Sequence, residues 1–171
     1  MIHAARRVFV LGGLAALTGV LPGCALVSNA PLKDTRHPGP LRDPAAPIAS
    51  QVDVTLDRLR GEWRVLSSAG ALAPKRRFQV RALSDGGAVF VQDGRADLPA
   101  TDLGQGRFGV LKQQYWVHWM DADATVALVG VLNAPAVWIM TRAAPPADRV
   151  NAAWEVFDWY GYNREWMRAP E

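Results

Sequence analysis

Between Tyr115 and Arg142 the chain sets short apolar runs between tight polar breaks. Tyr115 to Met120 ends in Asp121-Ala122-Asp123-Ala124, Thr125 to Val131 in Asn133-Ala134-Pro135, and Ala136 to Thr141 at Arg142. Runs this short, each with a turn signal behind it, predict three consecutive antiparallel strands. Further strands are expected near 62–68, 76–83, 87–95 and 106–111, which gives seven. Between Asp93 and Leu111 the pattern is broken by Gly94, Pro99, Gly104, Gly106 and Gly109. After Pro145-Pro146 the period changes. Val150, Ala153, Trp154 and Phe157 recur at i, i+3, i+4 and i+7, one apolar stripe ringed by Asp148, Arg149, Asn151, Glu155 and Asp158, so a helix is expected, with Gly161 as its stop.

The N-terminus reads differently. Arg6 and Arg7 precede an apolar stretch, Val8 to Val20, that is short for a bilayer span, and Leu21-Pro22-Gly23-Cys24 looks like a lipobox. Cys24 is the single cysteine of the chain, so it has no partner for an internal disulfide; it is expected to be the lipidated first residue of the mature protein. Residues 1–23 are then a signal peptide, 24–50 a tether carrying Pro31, Pro38, Pro40, Pro44 and Pro47, and 51–171 one folded domain. Without the first 23 residues, 17 basic and 16 acidic residues remain, a net charge of +1. Nothing in that balance, the small cluster Lys75-Arg76-Arg77 included, points to nucleic acid.

Three segments together resemble the bacterial lipocalins, the outer-membrane lipoprotein branch of the lipocalin family. They are Gly61-Glu62-Trp63, similar to the Gly-x-Trp signature of the first strand; the 115–142 meander, with Trp116-Val117, Ala127-Leu128-Val129-Gly130 and Trp138-Ile139-Met140-Thr141-Arg142; and the lipoprotein-like N-terminus. The resemblance implies an all-β fold: a small up-and-down antiparallel β-barrel of about eight strands, one of them short or degenerate, with one C-terminal α-helix packed outside. Arg95 to Asp102 is then expected to supply the irregular fourth strand, although a six-strand barrel or a half-closed sheet stays open. A short strand at Arg164 to Arg168, centred on Trp166, should follow the helix. The resemblance further implies that Trp63 plugs the closed end with Arg142 across its ring, both in structural roles; Asp121 and Asp123 sit in a turn, where such side chains bond local amides, and are expected to be structural too.

Strand alternation, combined with the family's orientation, turns Tyr115, Val117 and Trp119 inward, together with Ala127, Val129 and Val131, and with Ala136, Trp138 and Met140. Tyr115, Val117, Trp119, Ala127, Val129, Trp138 and Met140 are the expected ligand-binding residues. His118 should face outward beside Trp116 and Met120, without a metal or catalytic role. No Gly-x-Ser-x-Gly, Cys-x-x-Cys, His-Glu-x-x-His or phosphate loop occurs, so neither an enzyme nor a cofactor nor a metal is expected. The resemblance implies a lipid-anchored protein facing the periplasm that binds a fatty acid or lysophospholipid. The competing reading is an interaction lipoprotein with a filled barrel that docks through Trp116 and Trp159.

Overall fold

The computed structural model describes residues 39–84, 87–93, 97–132 and 134–170. Eight strands run in chain order: β1 (Gly61–Ala69), β2 (Arg77–Ala82), β3 (Ala88–Gln92), β4 (Leu98–Gly104), β5 (Arg107–Val110), β6 (Gln113–Met120), β7 (Val126–Val131) and β8 (Ala136–Thr141). Each pairs antiparallel with the next, and β1 pairs with β8, closing the barrel. An even count is what allows that closure, so neither the six-strand nor the half-open form is adopted. β4 overlaps the fourth strand expected from Arg95 to Asp102, and its pairing with β5 shifts register between Asp102 and Gly104. Pro99 stands near its start, opposite Val89, where a missing N–H is tolerated.

The barrel's inner face is apolar and aromatic. Trp63, Phe78, Phe90, Phe108, Tyr115 and Trp138 are all buried in one cluster. A second cluster lies outside the wall. Helix α2 (Ala147–Trp159) lays Ala153 and Phe157 against Val126, Leu128, Val137 and Ile139, the outward residues of β7 and β8. Because both faces of β7 and β8 are covered, all six positions of each are buried, which is why their sequences are continuous apolar runs. The helix ends at Gly161, in the left-handed region at φ +75°, with Tyr162 N–H returning to the Phe157 carbonyl.

Two expectations fail here. Arg164 to Arg168 is not a strand: Arg164–Trp166 forms a turn of 3-10 helix, and a single bridge joins Arg168 to Ser68. Residues 39–50, expected as the end of the tether, instead pack on the barrel. Leu41 is buried in the outer cluster, Arg42 bridges to Tyr162, and Asp43 N–H bonds the Gly161 carbonyl at 2.8 Å. Signal peptide, Cys24 and the first part of the tether lie outside the described residues.

Candidate ligand-binding site

At one end of the barrel Trp63 is fully buried, and the Arg142 guanidinium carbon lies 4.2 Å from its ring centroid. The indole N–H donates to the Leu59 carbonyl of the short helix α1 (Leu56–Leu59) at 2.9 Å. Arg142 donates from Nε to Ala124 O at 2.7 Å, from Nη2 to Arg58 O at 2.6 Å, and from Nη1 to Arg60 O. Burial lowers its pKa from the ordinary arginine value. Gly61 has φ +101°, and a Cβ there would stand 2.8 Å from Arg142 Nη1. The glycine of Gly-x-Trp is therefore the residue that lets the arginine reach across. In the adjoining turn the Asp121 carboxylate accepts from Thr125 N–H and Oγ1, both at 2.6 Å, from Val126 N–H at 2.7 Å, and from Arg149. Burial pushes its pKa up, but the Thr125, Val126 and Arg149 bonds outweigh that and hold it below the usual carboxylate range.

Toward the other, open end the rings meet one another. Phe78 and Phe90 are 5.0 Å apart, Phe78 and Trp138 5.6 Å, Phe90 and Tyr115 5.6 Å, and Tyr115 and Trp138 5.8 Å, with edge-to-face or tilted geometry. Leu72, Ala73 and Ala134, from loops at this end, pack on the same cluster. Six of the seven expected ligand-binding residues, Tyr115, Val117, Ala127, Val129, Trp138 and Met140, belong to this interior. Trp119 does not. A bulge between Val117 and Trp119 inserts His118 as the extra residue, so Trp119 packs with the outer cluster and Met120 turns inward in its place.

His118 faces outward as expected, but it is buried beneath residues 39–50. Its Nδ1 donates to Ala49 O at 2.6 Å and its Nε2 accepts from the Tyr162 hydroxyl at 2.8 Å. Burial pushes its pKa down to about 4. Gly130 makes the arrangement possible, since a Cβ there would lie 2.4 Å from both His118 Nε2 and the Tyr162 oxygen. Trp116 is half-buried, with the Arg107 guanidinium 5.8 Å from its ring, whereas Trp159 is 65% exposed.

Three clefts of about 300, 340 and 260 Å³ open on the described surface, and none is lined by the six interior residues just named. The first lies at the open end, between the last residues of β1 and the end of β3, and Ser68, Ala73, Gln92, Trp166 and Arg168 line it. Past Val65, β1 pairs with the C-terminal segment at Arg168 in place of β2, which leaves this gap in the wall. Ser68 pairs with Trp138 and Gln92 pairs with Phe78, so both belong to the inner face. Sequence reasoning missed Gln92 and the three phenylalanines. The signal was there: Ala88, Phe90 and Gln92 alternate along one strand.

A closed eight-strand up-and-down barrel, plugged at one end by an arginine-capped tryptophan and flanked by a single helix, defines a lipocalin-type protein. Residues 84–171, more than half of the chain, match the lipocalin-like domain family, and the chain belongs to that family. Its fold is also that of the major allergen Per a 4 from cockroaches, with a TM-score of 0.55 at 13% identity over 75% of this chain and 96% of that one. No curated protein matches the chain. Membership supports a protein that binds a small hydrophobic ligand.

Proposed function

We propose that this lipocalin is anchored through a lipidated Cys24 to the periplasmic face of the outer membrane. There it binds a single-chain lipid, of the fatty acid or lysophospholipid class, non-covalently in its barrel for envelope lipid storage or transport. The observation that carries the binding is the open-end cleft of about 300 Å³, which meets the aromatic interior at Gln92. A lipid chain enters there by displacing Leu72 and Ala73. Burying twelve methylenes contributes on the order of 10 kcal/mol gross at ~0.8 per group, and ordering costs remove much of it. One observation favours the competing reading: the interior rings pack on one another, as a filled barrel with a docking role through exposed Trp159 requires.

A melting series with a lysophospholipid and a fatty acid tests the binder, because a ligand held only by the native state raises the melting temperature by mass action. A rise that saturates with lipid supports it, and no rise with any single-chain lipid favours the docking protein. The anchor is tested separately. Cys24→Ser should abolish labelling by a palmitate analogue and release the protein from membranes; label retained by the variant contradicts the lipobox.

A further inference from the structure

The barrel interior contains polar atoms that its own packing leaves unused. Among the described residues the buried polar or charged side chains are Ser67, Gln92, His118, Asp121 and Thr141, and of these Gln92 is the one set among the interior rings. Its Nε2 lies 3.5 Å from the Tyr115 hydroxyl, while its Oε1 has no partner. The indole N–H of fully buried Trp138 is likewise unpartnered. Leaving such groups buried and unpaired is destabilising, and a leucine and a phenylalanine would fill the same space without that cost. Gln92 also lines the open-end cleft.

Resting on the binding reading above, we infer that Gln92 and Trp138 form a polar subsite for the buried end of the ligand, and that this end is neutral. Gln92 Oε1 needs a donor and Trp138 N–H needs an acceptor. A hydroxyl or a primary amide on an acyl or alkyl chain supplies both. An ionised carboxylate supplies acceptors alone, and among the described residues no buried cation compensates it: Lys75 and Arg168 line the cleft but are exposed, and Arg142 lies beyond Trp63 at the opposite end, where three carbonyls engage its nitrogens. Burying such a charge without a partner is strongly unfavourable. On this inference the barrel prefers, among single-chain lipids, those with an uncharged, hydrogen-bonding end, monoacylglycerols, long-chain alcohols and fatty amides among them, over the fatty acid anions that the binding reading alone would admit.

The test uses the full chain held in an amphipathic polymer, because detergent monomers would themselves compete. Decan-1-ol, decanamide and decanoate at pH 8 are titrated against tryptophan fluorescence and the melting temperature. The alcohol and the amide should bind at least tenfold more tightly than decanoate. Gln92→Leu should erase that preference and raise the melting temperature of the ligand-free protein, and Trp138→Phe should weaken the alcohol without unfolding the barrel. Decanoate binding as tightly as the alcohol, or Gln92→Leu leaving the preference intact, overturns the neutral subsite while the binding reading stands. If none of the three probes binds, the neutral subsite falls, while the binding reading is decided by the lysophospholipid melting series.

Discussion

Trp63 and Arg142 show how a short motif acquires physical content. Each could be read from the sequence only by resemblance, but the structure gives the reason for their company: a guanidinium over an indole, with Gly61 leaving it room. Such a contact is worth about 0.5–2 kcal/mol. Trp63→Ala and Arg142→Ala should each destabilise the fold, and the double variant should cost less than their sum, since both singles lose the same contact. A double-mutant cycle in urea measures the coupling, and strict additivity would contradict it. His118 was legible as outward-facing but not as buried, because Ala49, whose carbonyl it bonds, lies far away in sequence. Its pKa of about 4 in the fold lies below the 6.5 of the unfolded chain. Between these values the unfolded state holds the extra proton, so stability is complete above about pH 6.5 and falls as pH drops toward 4. The loss attributable to His118 is roughly 3 kcal/mol at ~1.4 per pH unit. Equilibrium unfolding from pH 7.5 to 4 should show that slope, and His118→Phe should flatten it.

The strands and α2 were readable because their periods are strong, and the errors fall where an element breaks its own period. Counting by twos along β6 fails at His118, since a bulge adds a residue and reverses every face beyond it. β4 was obscured by Pro99 and Gly104, although its pairings with β3 and β5 hold it as a strand of seven residues. The stretch from Arg164 to Arg168 contains Trp166, which suggests a strand, but the Asn163 side chain accepts from Glu165 N–H and starts a tight turn instead. The bulge also has an energetic signature. Trp138→Arg places a charge in the interior and should cost several kcal/mol, whereas Trp119→Arg alters a half-buried outer position and should cost no more than about 1–2 kcal/mol. Denaturant midpoints of the two variants check this; equal losses would mean that Trp119 faces inward after all.

The closed barrel, its plugged end and its outer helix were all implied by the sequence once the three segments were taken together. The interior's filling was not, because Phe78 and Phe90 come from strands before the irregular region and Phe108 from within it, and only closure brings them together with Tyr115 and Trp138. The same closure leaves the cleft where β1 parts from β2, which no local pattern announces. The question that matters for function is whether a lipid enters that interior, and the seven tryptophans allow a direct observation. In the full chain labelled with nitrogen-15, the indole N–H signals are followed as a lysophospholipid or long-chain alcohol is added. Trp138, inside the barrel, should shift as the ligand saturates, while Trp119, Trp154 and Trp159, outside it, stay in place. An unmoved Trp138 signal, with changes confined to Trp159 and its neighbours, would show that lipid meets only the outer surface and would contradict binding within the barrel.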